Sequence, residues 1–461
     1  MNDNKISKNS IVAKFAVPIS FLILFFLAAN FTDCDLVTFW KRRSHLTDLV
    51  VDMIPPDFSY IQKILLPLFY TIQMSVTGTV LGIFFALVLS PFGAANLGFP
   101  AVIRRILRIV IQILRSFPAL ILALTATFLF GLGTFAGTFA ITLYTFAIMT
   151  KLTYEDASAA DVKAYQALRA MGVSKYVAYI HGILPEIIPG FLTNALYLLE
   201  TNVRHSSILG YVGAGGIGLL LNEKISWLEY DKVGTILLML FLTVCVIEYF
   251  SRYLAALIRK EHTIKKEQAR LLLLFLAALF LICTFTLSLP DFSKTSPQTL
   301  RNMFAGFLQP DWSFFFSAEK DGLGYLLLET VCIAFIGTVI GAIVSAPLAF
   351  LNTKRFVPAP VSFLFNLVIM IIRSVPFLVY GLIFIRVSGP GAFTGVLTLA
   401  VCSIGLLTKR FTEALDALDP RPYHALLAMG VRPLPAICHS VLPQLKPVFT
   451  SIILYRFDVN I

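Results

Sequence analysis

The sequence predicts an all-helical protein that crosses a membrane many times and consists of two copies of one unit. Two observations carry this reading. Of the 461 residues, 57% are hydrophobic and only 14% charged, and the apolar residues gather in runs of about 20, the length that spans a bilayer. A pattern also recurs at a fixed separation of 258 positions. Ala425-Leu426-Leu427-Ala428-Met429-Gly430-Val431 repeats the stretch Ala167 to Val173, Leu442-Pro443 repeats Leu184-Pro185, and Tyr455 to Ile461 stands in register with Tyr197 to Val203. A repeat of that length at a fixed offset means a duplicated structural unit.

The apolar runs place eleven spans, near residues 15–31, 64–89, 106–131, 135–150, 186–203, 233–253, 271–289, 322–350, 361–385, 391–408 and 446–461. The first follows Lys5, Lys8 and Lys14 and lacks a small-residue cleavage site, so it reads as a retained helix rather than a signal peptide. With the N-terminus in the cytoplasm, Arg104-Arg105, the polar segment 151–185, the basic stretch 259–270, Lys354-Arg355 and the polar segment 409–445 all fall inside. The loops 32–63 and 290–321 fall outside and carry Asp33, Asp35, Asp48, Asp52, Asp57, Asp291, Asp311, Glu319 and Asp321, although Lys41-Arg42-Arg43 runs against the pattern. Basic residues on one side set orientation, so the net charge of +11 implies topology and not nucleic-acid binding. Six spans separate the two polar segments, an even number, so both face the cytoplasm and the copies are parallel, related by an axis along the membrane normal. The register also predicts a twelfth span beyond Ile461, because the second copy stops where the first continues to Arg204 and its glycine run. The six cysteines show no paired spacing and read as small packing residues.

The polar segments carry the chemistry. From Tyr154 to Lys175 polar and apolar residues alternate at helical spacing, with Ala157, Ala160, Ala164, Leu168 and Met171 on one face. Gly172 then permits a tight turn, a second short helix runs to His181, and Pro185 restarts the chain at the membrane. The product is a helix-turn-helix elbow. One copy would pass for an ordinary loop, but two at matched positions point to a docking device.

Gln166-Ala167-Leu168-Arg169-Ala170-Met171-Gly172, nine residues, then Gly182-Ile183-Leu184-Pro185 resembles the coupling motif of ABC importer permeases. That motif reads Glu-Ala-Ala, three residues, Gly, nine residues, Ile, any residue, Leu-Pro. The spacing is kept in both copies, Gly172 to Leu184-Pro185 and Gly430 to Leu442-Pro443. The acid is replaced by Gln166 and His424, ahead of Ala167 and Ala425, so shape and apolar contact would carry the docking. Arg115-Ser116-Phe117-Pro118 recurs as Arg373-Ser374-Val375-Pro376, and these, with Tyr197 to Arg204 and Val212 to Gly218, are similar to the phosphonate-type permeases of that superfamily. The resemblance implies a type I ABC importer permease fold with two halves fused in one chain. It divides the chain into an N-terminal helix and extracytoplasmic loop (1–59), a first permease half (60–258), a basic cytoplasmic linker (259–270), a linker helix and extracytoplasmic loop (271–321) and a second, truncated half (322–461). It further implies a separate cytoplasmic ATPase dimer that binds ATP and magnesium, an extracytoplasmic solute-binding protein, location in the cytoplasmic (inner) membrane, and a phosphonate, phosphite or phosphate as cargo. This chain itself would bind no cofactor or metal and no nucleic acid.

Charged groups inside apolar runs are costly and face a partner or a wet path. Arg115, Ser116, Arg373, Ser374, Glu200, Asn202, Arg204, Asp458 and Asn460 therefore mark a candidate translocation pathway, with the arginines attracting an anion. Two other readings stand beside it: Glu200 and Arg204 are four apart and can pair on one helix, and Arg115 and Arg373 can support helix breaks at Pro118 and Pro376. The run Gly213, Gly215, Gly216 and Gly218 can cradle an oxyanion or form a re-entrant turn that closes the path. No Gly-Lys-Ser/Thr follows, so it is not an ATP-binding loop. The histidines are scattered and no acid/base pair, nucleophile triad or metal spacing occurs, so an enzyme is not expected. The alternatives are an ion-coupled carrier of a small anion, which would need membrane carboxylates such as Glu200, Glu248 and Asp458, and a permease for another solute such as methionine.

Overall fold

Inside a bilayer each backbone N–H and C=O must find a partner within the chain, so apolar runs fold as helices. The computed structural model describes residues 19–34, 36–258, 266–290 and 311–461 except 318 and 321, with a few positions between 298 and 309, and no strand occurs among them. Lys5, Lys8, Lys14, Asp35, Asp291 and Asp321, and most of the basic linker, lie outside the described residues. Two units emerge: residues 53–308 form one, and residues 1–52 with 309–461 form the other.

The chain begins with α1 (Ile19–Phe31), α2 (Leu36–Lys41) and α3 (Arg43–Asp52), which belong to the second unit. The first unit then runs α4 (Ile61–Gly93), α5 (Ala101–Ser116), α6 (Ala119–Phe130), α7 (Thr134–Ala159), α8 (Lys163–Ala170), α9 (Lys175–Gly182), α10 (Leu184–Leu209), α11 (Ile217–Ser226), α12 (Tyr230–Ile258) and α13 (Lys266–Phe285). The second unit continues with α14 (Trp312–Phe316), α15 (Leu323–Asn352), α16 (Ala359–Ser374), α17 (Phe377–Ser388), α18 (Ala392–Ala417), α19 (Arg421–Ala428), α20 (Pro433–Ala436) and, after a π turn at Ile437–Val441, α21 (Leu442–Asn460). From α5 to α8 each helix begins 258 residues before its counterpart among α16 to α19.

The central pair of each unit packs through glycine. In α4 a Cβ on Gly78 would stand 2.8 Å from Ile141 Cβ, and one on Gly82 2.7 Å from Thr145 Cβ, both on α7. In α15, Gly337 and Gly341 meet Leu399 and Ser403 of α18 at 2.8 and 2.5 Å by the same measure. This is the small-xxx-small seam by which membrane helices approach closely.

The bends revise the predicted spans. Among the described residues six helices are long and apolar enough to cross a membrane, and three further helix pairs are broken by a sharp bend. The expected spans 106–131 and 361–385 are not straight: α5 and α6 meet at 94°, and α16 and α17 at 87°. Proline explains both. It pushes the residue before it out of the helical region, and Phe117 (φ −85°, ψ 123°) and Val375 (φ −76°, ψ 125°) are extended.

The helices ahead of each repeat do not stand free. In the first unit, Gln73 of α4 donates to Cys283 O at 3.1 Å and to Thr286 Oγ1 at 2.9 Å, so α13 lies on α4. In the second unit, Ala28 of α1 is buried with Ile336, Phe393 and Val396, and the Phe31 ring lies tilted against that of Tyr325 with centroids 4.9 Å apart.

Candidate functional site: the paired elbows and the polar interior

The expected amphipathic helix from Tyr154 is two helices. Helix α7 runs on to Ala159, the chain is extended at Ala160 (ψ 156°), and α8 starts at Lys163. Tyr165 points inward and its hydroxyl donates to Leu97 O at 2.6 Å; with Ala157, Ala178, Tyr179 and Ile183 it forms a small core beneath the elbow. Ala164 and Met171, by contrast, are exposed.

The turn after α8 closes as expected. Gly172 has φ +84°, its N–H donates to Arg169 O at 3.1 Å, and the Val173 N–H reaches back to Leu168 O at 3.2 Å. That is the Schellman closure, which places glycine in the left-handed region. Ser174 then caps α9 by accepting from the Val177 N–H. The second copy repeats the geometry: Gly430 has φ +81°, its N–H donates to Leu427 O at 2.9 Å, and the Val431 N–H reaches Leu426 O at 3.1 Å. Each elbow presents a matched exposed tip, Gln166, Ala167, Met171 and Gly172 in one and His424, Ala425, Met429 and Gly430 in the other. Met171 and Met429 are 71% and 78% exposed. Methionine is a flexible, polarisable contact residue, and two at equivalent tips suit a docking face. Leu184 and Pro185 open α10, and Leu442 and Pro443 open α21.

The elbows differ in detail. A Cβ on Gly182 would lie 2.8 Å from the Tyr165 amide nitrogen, so α9 packs tightly on α8. The matching residue is Ser440, and there the helix widens into the π turn. The second elbow also borders a cleft of about 260 Å³ lined by Arg355, Phe356, Leu418, Tyr423 and His424. Each elbow is entered through an aspartate. The Lys163 backbone N–H holds the Asp161 carboxyl below its usual value, and the Arg421 guanidinium does the same for Asp419.

The polar residues of the spans differ in their surroundings. Glu200 and Arg204 are ion-paired on α10, both largely buried. Asn202 is fully buried and donates to Thr79 Oγ1 on α4 and Thr145 Oγ1 on α7, each at 2.8 Å. Asn460 does the same in the second unit, to Thr338 Oγ1 at 2.8 Å and Ser403 Oγ at 3.0 Å. These asparagines are clamps across three helices. Asn202→Leu should lower thermal stability of the purified protein by about 1–2 kcal/mol, since membrane hydrogen bonds average under 1 kcal/mol each; an unshifted melting curve would refute the clamp. Arg115 and Ser116 are exposed at the end of α5. Arg373 is half-buried, with Gly405 making room for its stem, and Ser374 is buried. Asp458 is exposed on α21.

The glycine run is a packed turn. Gly213, Gly215 and Gly216 all have positive φ, between 73° and 84°. Gly210 and Gly218 touch backbone to backbone, and a Cβ on Gly218 would stand 2.0 Å from Ser207 O. The N–H groups of Gly213, Ala214 and Ile217 donate to Gly210 O, Leu209 O and Thr71 Oγ1, and Gly213 O accepts from the Gly133 N–H. The turn Gly131-Leu132-Gly133, with its counterpart Gly389-Pro390-Gly391, was not singled out above, although two glycines spaced by two recur there at 258. Nor was Gly78-Thr79-Val80-Leu81-Gly82, which recurs as Gly337-Thr338-Val339-Ile340-Gly341 and supplies both the helix seam and the threonines of the asparagine clamps.

The described residues form an all-helical chain with apolar helices long enough to cross a membrane and two matched elbows, the architecture expected of a transport permease. Comparison with known proteins agrees: residues 78–260 and 337–461 match the family model of the binding-protein-dependent transport system inner membrane component, and the chain belongs to that family. It is 26% identical over 425 residues, 90% of this chain and 79% of the relative, to the phosphate-import permease protein PhnE of Mycolicibacterium smegmatis. It is 31% identical over 217 residues, 47% of this chain and 79% of the relative, to the phosphite transport system permease protein PtxC of Stutzerimonas stutzeri. Among solved structures, an inward-facing MetNI methionine ABC transporter aligns with 44% of this chain and 99% of that chain at 20% identity and a TM-score of 0.40. As a permease component, the chain is not an enzyme.

Proposed function

We propose that the chain is the membrane permease of an ATP-driven importer for a phosphorus oxyanion, a phosphonate, phosphite or phosphate. The observation that carries this reading is the pair of elbows. A single turn geometry is built twice, with exposed Met171 and Met429 at the tips, where a pair of ATPase subunits would each take one. The relatives named for phosphate and phosphite supply the cargo class. In this reading ATP and magnesium sit on the partner ATPase, and an extracytoplasmic binding protein delivers the solute. The N-terminus and both elbows lie in the cytoplasm, and the two repeats are parallel halves in the inner membrane. ATP-driven movement of the elbows rocks the halves about a midplane path on which Arg115 and Arg373 draw the anion, and the turn Gly213–Gly216 gates its far end.

The test is growth of a deletion strain and its parent on phosphate, phosphite or an alkylphosphonate as sole phosphorus source, with uptake measured on the compound that separates them. We expect uptake to stop when ATP is depleted and to persist when the ion gradient is collapsed. Dependence on the gradient alone would transfer the chain to the ion-coupled carriers. Growth defects on none of the three would remove the cargo class and leave the permease assignment.

A further inference from the structure

Helix α11, the element that follows the glycine turn, is pinned at both ends. At its start the Ile217 N–H donates to Thr71 Oγ1 at 2.8 Å, and a Cβ on Gly216 would stand 2.7 Å from the same oxygen. At its end Lys224 is buried, its side chain 8% exposed. Its ammonium lies 3.0 Å from the Glu223 carboxylate and 2.9 Å from that of Glu229, and 4.4 and 5.5 Å from the ring centres of Trp227 and Tyr60. Glu229 also holds Lys232 at 2.7 Å. One ammonium thus joins three stretches of chain: the turn before α4, the end of α11 and the start of α12. A lysine withdrawn from water is tolerated when carboxylates and aromatic faces replace its hydration.

The loop that brings Glu229 back is strained. The Leu228 N–H donates to Ile225 O at 3.2 Å and the Glu229 N–H to Lys224 O at 3.0 Å, the Schellman pattern again, but the left-handed position holds Leu228 at φ +61°. A leucine is held there at a cost, and such strain persists only where the surroundings over-determine it. Here the surroundings are the Lys224 cluster, and the strained turn is what aims Glu229 at it.

We propose that Lys224 is a positioning residue: it fixes α11 on α4 and α12 and so holds the turn Gly213–Gly216 in place. The inference rests on the reading of that turn as a gate. It assigns a role in transport to a side chain held in an ion cluster, at the end of α10 remote from the elbow.

Hydrogen–deuterium exchange on the full-length protein in lipid nanodiscs tests it. We expect K224M, which keeps the length and removes the charge, to exchange at least about ten-fold faster across residues 213–229 and unchanged across the elbow 163–182. K224R should regain most of the protection, since a guanidinium keeps the charge and offers donors to both carboxylates. L228G relieves the turn without touching the cluster and should stay protected. If K224M accumulates poorly, E229Q provides the same reading with a smaller rise. Wild-type protection in K224M or, where it is needed, E229Q overturns the proposal, as does loosening that spreads to the elbow. Uptake of radiolabelled phosphite in cells expressing each variant separates the two layers: faster exchange with reduced uptake supports both, whereas faster exchange with unchanged uptake leaves the clasp standing and removes the gate.

Discussion

Leucine at both Gly172 and Gly430 should reduce uptake at least about ten-fold while the protein still reaches the membrane. The cause is backbone geometry. Both glycines sit at φ above +80° and complete a Schellman closure. A residue with a Cβ pays about 1–2 kcal/mol to stay in the left-handed region, which is enough to unwind the end of an eight-residue helix that has no length to spare. A clash inside the chain is not the cause, because a Cβ at either position meets nothing within 4 Å. The substitution series separates two origins. Asparagine adopts the left-handed region with less strain, so Gly172→Asn with Gly430→Asn should retain most uptake, while alanine at both should behave nearly as badly as leucine. If alanine is tolerated and leucine is not, the limit is bulk in the partner's groove. Unimpaired uptake in the double leucine variant would sink the elbow assignment. Uptake divided by the amount of protein in the membrane is the quantity to measure.

The elbow was legible in sequence because its chemistry is local: a glycine where only glycine is comfortable, a fixed distance to Leu-Pro, and a second copy. Glu200 with Arg204 was legible for the same reason, four residues apart on one helix. Hydropathy, in contrast, registers that a run is apolar and not which way it points. The stretches around Pro118 and Pro376 therefore read as one span each, with helix breaks at the prolines among the open readings and the angle of the bend not legible. The GTVLG and GTVIG segments escaped notice because they lie 259 positions apart, one more than the rest of the repeat. The Lys224 cluster could not be read at all, since Tyr60 meets Lys224 only through the packing of α4, α11 and α12. Asn202 and Asn460 read as pathway residues because polarity in a span has two meanings, lining and clamping, and sequence does not register the threonine and serine partners that hold them.

That distinction sets the last expected result. Alanine at both Arg115 and Arg373 should lower phosphorus-oxyanion uptake per molecule at least about ten-fold, with little loss of protein from the membrane. Arg115 is exposed and Arg373 half-buried, so truncating them costs the fold less than truncation at a fully buried position would. Glu200→Ala should show the opposite profile. It strips the neighbouring carboxylate from an Arg204 whose side chain is only 14% exposed, and breaking a buried pair from one side costs about 3–5 kcal/mol. The folded protein should become scarce, yet each surviving molecule should transport nearly normally. Replacing both partners, Glu200→Leu with Arg204→Leu, should restore much of the lost protein, because neither member of the pair is then left without the other. Both sets are scored on the same two axes, membrane-inserted protein and uptake per molecule. If the Glu200 and Arg204 variants lose uptake per molecule and the arginine pair does not, the solute path runs along α10 and the ion pair belongs to it.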